Sequence, residues 1–216
     1  AWLFRLAPED HVLLVNVHHV ATDEWSTRVL ARDLSLAYAA ALSGGPAALP
    51  PLAVQYADWA AWERERLSDA ALEPQLAWWR ERLAGAPPLE LPADRPRPAV
   101  QSHLGAVHPF RLPAGLRERC AGLARECRVT PFVVLLAAFD ALLHRCTGAD
   151  DLVVGTPSAA RTRPELEELV GFSVNTLPIR ADLSGDPGFR ELLRRVGEAA
   201  AGAMARQEVP FDRLVE

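Results

Sequence analysis

Between His11 and Val20 the chain reads HVLLVNVHHV, a β-branched and nearly continuous apolar run. Continuity of this kind predicts a strand buried on both faces. Alternation puts Leu13, Val15, Val17 and His19 on one face and Leu14, Asn16 and His18 on the other. The period then changes. The stretch TDEWSTRVLARDLSLAYAAALSGG offers Thr22 or Asp23 as a cap and acidic residues in its first turn. Val29, Leu30, Leu34 and Ala37 follow at helical spacing, and Gly44-Gly45 is the stop. Strand, tight turn and helix succeed one another, with two histidines at the junction.

Two further amphipathic helices are predicted from VQYADWAAWERERL and LEPQLAWWRERLAG, whose Glu and Arg neighbours mark solvated faces. APPLELPADRPRPAVQSHLGA then breaks the pattern with Pro87, Pro88, Pro92, Pro96 and Pro98, the chemistry of an extended connection. A boundary placed there gives residues 1–88, a Pro-rich connection 89–105, and residues 106–216. Beyond it VHPFRL reads as a strand and Leu116 to Cys127 as a helix. TPFVVLLAAFDALLHRCTG is an apolar helix opened by Thr130-Pro131 and closed by Gly148. DLVVGTP reads as a short strand, SAARTRPELEEL as a polar loop, FSVNTLPIR as strand-like, and FRELLRRVGEAAAGAMARQ as a last helix. Strands alternating with helices indicate a layered α/β fold.

Composition adds exclusions. Acidic residues outnumber basic ones 28 to 23, every basic one is Arg, and the formal net charge is -5, so no electrostatic footprint for nucleic acid is present. The absence of Lys beside abundant Ala, Arg and Pro is read as a compositional bias of the source genome. Cys120, Cys127 and Cys146 are an odd number without a signal-peptide pattern, which argues against a disulfide framework and for a reducing cytoplasm. No apolar run reaches the ~18 residues needed to span a bilayer. A chain that opens on Ala1 and stops at VPFDRLVE is expected to be a piece of a longer polypeptide.

Three readings of His18 and His19 compete. As metal ligands they would need Asp23 or another donor, but adjacent strand residues point to opposite faces and no further His, Cys or Asp pattern completes a set. As core histidines each would need a backbone partner, since an unpaired polar ring in an apolar layer is costly. As an acid–base group, one ring at a strand end facing a cleft would move a proton near neutrality. Neither a G-x-S-x-G elbow nor a reactive cysteine accompanies the pair, so the third reading implies direct transfer between two bound substrates.

HHVATDEWS resembles the HHxxxDG motif of the condensation domains of nonribosomal peptide synthetases, relatives of chloramphenicol acetyltransferase. The family's later segments follow in order as VQYADWAAWERERL, LPADRPRPAVQSHLGA, VGTPSAARTRPELEELVGFSVNTLPIR and QEVPFDRLVE, covering nearly the whole chain. The resemblance implies a two-lobed chloramphenicol acetyltransferase-like α/β sandwich, incomplete at both ends, with a tunnel between the lobes. Residues 1–88 would be the C-terminal part of the first lobe and 106–216 the N-terminal part of the second. It further implies peptide-bond formation between a donor thioester and an acceptor amine, each on the phosphopantetheine arm of a carrier domain. Upstream and downstream peptidyl carrier domains and an adenylation domain would be the partners in the assembly line. No cofactor or metal bound by the domain itself is implied, nor any nucleic-acid or membrane partner, and the place of action would be the cytoplasm.

By the same resemblance His19 is the catalytic position and His18 a structural one. Asp23 matches a structural Asp that pairs with an Arg, Arg161 being the first candidate and Arg163 the second. Glu24 departs from the pattern, because the family has Gly there. A first-turn Glu suits a helix N-terminus, yet it brings negative charge near a developing oxyanion. Three outcomes stay open: Glu24 turned outward, a specialised substrate or altered chemistry, or an impaired domain. Among rivals, epimerisation domains diverge where this chain has GFSVNTLPIR, and heterocyclisation domains replace both histidines. Ester-forming relatives would use the same His19. A non-catalytic recruitment domain would keep the fold, with Glu24 in its favour and His19 against it.

Overall fold

In a computed structural model, β1 (Trp2–Ala7) pairs antiparallel with β2 (Asp10–Leu14), Trp2 opposite Leu14 and Phe4 opposite Val12. The structure describes residues 1–96, 98–100, 102 and 104–215. Arg97, Gln101 and His103 of the expected Pro-rich connection, and Glu216 of the QEVPFDRLVE segment, lie outside the described residues. Two compact units divide the chain: Ala1–Glu73 with Pro157–Asn175, and Pro74–Thr156 with Thr176–Glu216.

The first unit corrects the expected strand from His11 to Val20. Pairing stops at Leu14, which lies opposite Trp2, the first residue of β1. Residues 15–18 are irregular, and His19–Ala21 form a 3-10 turn. A local contact competes with the extended backbone there: the His18 side chain accepts from Val20 N at 3.0 Å and so begins the turn. Burial on both faces is also not observed. Every residue of β1 and β2 is exposed, since a hairpin of two strands has no other layer packed extensively on it among the described residues.

Asp23 is extended (φ -132°, ψ -177°) and caps α1 (Glu24–Leu42). After a loop, α2 (Tyr56–Arg66) begins with a reciprocal capping box in which Gln55 N donates to Asp58 Oδ2 at 2.9 Å. Trp59 of α2 packs with Leu166 and Leu169 of the 157–175 loop, flanked by Val54, Tyr56 and Ala60. That cluster fastens the loop, which contains a second 3-10 turn at Pro164–Leu166, to α2.

α3 (Asp69–Leu83) leads from the first unit into the second. There α4 (Leu116–Cys127), α5 (Pro131–Thr147) and α6 (Phe189–Met204) pack on one another. Thr130 caps α5, accepting from Val133 N at 3.3 Å, and Gly148 ends it at φ 74°, a left-handed conformation that costs glycine nothing. Val133, Val134, Leu136, Ala137 and Leu143 of α5 and Leu192, Leu193, Val196, Ala199, Ala200 and Ala203 of α6 are the buried stripes.

β3 (Asp151–Ser158) pairs with β4 (Asn175–Asp182). Arg180 clamps Asp151 through Nε–Oδ1 at 2.8 Å and Nη2–Oδ2 at 2.6 Å. α7 (Asp212–Val215) is a single turn. The expected strand at VHPFRL is not formed: residues 107–112 are irregular and exposed, with no strand alongside among the described residues to hold an extended backbone. No single helix among the described residues is long and apolar enough to cross a membrane.

Candidate functional site

Asp23 is the centre of the first unit's polar network. Its Oδ1 accepts from Ser26 N at 2.8 Å, Ser26 Oγ at 2.7 Å and Arg161 Nη2 at 3.1 Å. Its Oδ2 accepts from Arg161 Nη1 at 2.8 Å and from Ser173 N and Oγ at 3.2 and 3.4 Å. The side chains of Asp23 and Arg161 are 0% and 2% exposed, so the ion pair is dry. Burial by itself would push the Asp23 carboxyl up. The Arg161 guanidinium and the donors of Ser26 and Ser173 outweigh it and hold the carboxyl well below the usual carboxylate range. Asp23 is therefore a fixed anion, fully engaged in structure.

Arg161 is brought there by loop geometry. Ala160 takes φ 51°, an unusual conformation for a residue with a Cβ, and the chain turns at Arg161. The guanidinium also points Nη2 at Leu169 O, 3.3 Å away, and lies 5.7 Å from the Trp25 ring. Trp25 in turn donates its indole N–H to Glu167 O at 2.8 Å. The alternative partner, Arg163, is not at Asp23; it is exposed and sits 4.7 Å over the Trp62 ring.

His18 and His19 have different surroundings. His18 accepts at Nδ1 from Val20 N, which requires that nitrogen to be unprotonated and leaves the ring occupied as a cap. His19 is exposed, and its ring meets Phe172 edge-to-face at 5.3 Å and 83°. Glu24, the first residue of α1, is exposed at the helix N-terminus, where its carboxylate suits the helix dipole. Chemically, the arrangement offers one open imidazole beside a buried, charge-balanced frame.

Several members of the frame escaped the sequence reading. Ser26 sits three residues after the Asp23 cap, where its backbone N–H donates to the cap carboxylate, a local position. Ser173, Phe172, Gly171 and Tyr56 act instead across long separations and largely through backbone groups, as in Tyr56 OH to Phe172 O at 2.6 Å.

The family model of the condensation domain matches residues 1–216. One of the linear gramicidin synthase proteins of Brevibacillus parabrevis is 48% identical over 217 residues, covering 100% of this chain and 3% of that protein. The crystal structure of the X-domain from teicoplanin biosynthesis superposes with a TM-score of 0.86 at 37% identity, over 98% of this chain and 48% of that one. The first condensation domain of the CDA synthetase gives 0.77 at 26% identity, over 91% and 43%. The chain thus spans about half the length of these solved structures and a small part of the synthetase. Its fold is that of the chloramphenicol acetyltransferase-like condensation structures, in part. With the family model matched end to end, and with a synthase protein and the first condensation domain of the CDA synthetase among its similar proteins, this chain belongs to the condensation-domain family of nonribosomal peptide synthetases.

Proposed function

We propose that the polypeptide carrying this chain forms a peptide bond between two carrier-bound substrates. The acceptor's α-amine attacks the donor's thioester carbonyl, the C–N bond forms, the C–S bond breaks, and the amine proton ends on the departing thiol. His19 engages the attacking amine and relays that proton. An α-amine with a pKa of about 8 is partly neutral at pH 7, so much of His19's contribution is orientation. One observation carries this reading: of the motif's two histidines and its aspartate, Asp23 is locked in an ion pair and His18 in a cap, while His19 stays open. Arg161 keeps Asp23 charged and the turn in place.

The substrates ride on phosphopantetheine arms of upstream and downstream peptidyl carrier domains, with an adenylation domain supplying the aminoacyl groups, and the reaction takes place in the cytoplasm. Similarity to part of a gramicidin synthase supports that setting. Residues 1–88 would supply the first-lobe part with the His motif, 89–105 the connection and 106–216 the second-lobe part. Glu24, in place of the family's Gly, favours a second reading, a condensation-like domain that binds partners without catalysis. The test is the full-length polypeptide with both carriers charged, analysed by intact-protein mass spectrometry. Dipeptidyl product on the acceptor arm is expected; carrier binding with no product overturns peptide-bond formation in favour of recruitment.

A further inference from the structure

A ring on an exposed three-residue turn has several staggered orientations open to it. The contact that restrains His19 comes from Phe172, which is 40% exposed and lies outside helix and strand. Such a residue would be a poor brace if its own backbone wandered. It does not, because three successive residues are tied down. Ser26 Oγ accepts from Gly171 N at 3.0 Å and lies 2.9 Å from Gly171 O. The Tyr56 hydroxyl donates to Phe172 O at 2.6 Å, and Ser173 N donates to Asp23 Oδ2 at 3.2 Å. Tyr56 is itself packed against the Trp59, Leu166 and Leu169 cluster. Gly171 is required for that packing, since a Cβ there would overlap the Tyr56 ring.

We infer that Phe172, anchored through the Tyr56 hydroxyl, is a positioning residue that sets the orientation of the His19 imidazole. The inference rests on His19 being the catalytic group. Phe172 holds the ring edge-to-face, and Tyr56 holds Phe172 by its carbonyl, so two residues far from the motif in sequence fix the geometry of the reacting nitrogen. Loss of the aromatic contact lets the imidazole spread over other rotamers and lowers the fraction in the productive one by about two- to tenfold.

Single-turnover product formation in the full-length polypeptide tests this, with the donor on its carrier and an aminoacyl N-acetylcysteamine thioester as titrated acceptor. Phe172→Leu is expected to lower the saturating rate by about two- to tenfold, with the half-saturating acceptor concentration and Tm unchanged. Phe172→Tyr, which keeps the ring, is expected to restore the rate. Tyr56→Phe removes one oxygen, is expected to fall between wild type and Phe172→Leu, and carries the test if Phe172→Leu misfolds. An inactive His19→Ala beside a Phe172→Leu or Tyr56→Phe of wild-type rate overturns the positioning role. A rate loss that tracks Tm and is not rescued by Tyr overturns it as well. A fully active His19→Ala overturns instead the catalytic reading on which the inference rests.

Discussion

Replacing Asp23 by Ala should damage the fold far more than the chemistry. The substitution removes a carboxylate with six donor contacts within 3.5 Å and leaves the Arg161 guanidinium 2% exposed. What remains near that cation is Ser26 Oγ at 3.2 Å and the carbonyls of Ala159, Leu169 and Gly171 at 3.3 to 3.5 Å. Breaking one partner out of a buried pair costs about 3–5 kcal/mol, and these carbonyls place the loss toward the lower end. For a chain of 216 residues, at ~2–4 °C per kcal/mol, that is a fall in Tm of roughly 6–16 °C. Arg161→Ala should do similar harm by leaving the carboxylate buried without its cation. The double variant should lose less than the sum of the two, with a coupling of about 1–3 kcal/mol. Thermal unfolding of the full-length polypeptides, followed by circular dichroism, reads these changes. The same pair fixes a pH dependence. The Asp23 value in the folded state lies below its unfolded value of 3.8, so its stabilisation is present above about pH 4 and is lost as pH falls further. A soluble Asp23→Ala variant within about 1 kcal/mol of wild type, or strict additivity in the double variant, would refute the reasoning.

The other expectations concern single sites. Asp140 on α5 is 1% exposed, neither carboxylate oxygen has a hydrogen-bond partner among the described residues, and burial pushes its carboxyl up to about 7. Its folded value lies above its unfolded one, so its stabilisation is complete below about pH 4 and is lost as pH rises through 7. Asp140→Asn should therefore gain on wild type by about 2–3 kcal/mol between pH 5 and pH 8 in urea unfolding, and parallel pH curves would contradict this. Glu24→Gly should leave the rate of product formation within about threefold of wild type, because the side chain is exposed at a helix start. A tenfold change in either direction would mean that its charge reaches the reaction. Gly171→Ala forces the new methyl into the Tyr56 ring and should destabilise by about 1–3 kcal/mol, whereas a neutral effect would mean that the ring can move aside.

Local rules made much of the fold legible. The caps at Asp23 and Thr130, the glycine stop at Gly148, the apolar spacing of α1 and the apolar run of α5 all depend on residues within one or two turns of each other. The strands were legible only where a partner exists. HVLLVNVHHV has strand composition throughout but loses its neighbour after Leu14, and VHPFRL has none among the described residues. Pairing is a property of two segments and cannot be read from one. The site follows the same division. His18, His19, Asp23 and Glu24 are adjacent in sequence and carry recognisable chemistry, and Arg161 could be named as a partner through the resemblance. Its distinction from Arg163 lies in the turn at Ala160, which no composition rule foretells. Phe172 and Tyr56 were invisible because their roles come from a ring edge and a backbone carbonyl separated by 116 residues from its donor.

The central claim is that His19 serves the attacking amine. The most direct measurement is the single-turnover rate of dipeptidyl product formation by the full-length polypeptide, wild type against His19→Ala, with both carriers loaded. A loss of about 10²–10⁴-fold at unchanged Tm and unchanged carrier loading is the result expected of a proton-handling and orienting imidazole. A His19→Ala variant that forms product at the wild-type rate would contradict the account.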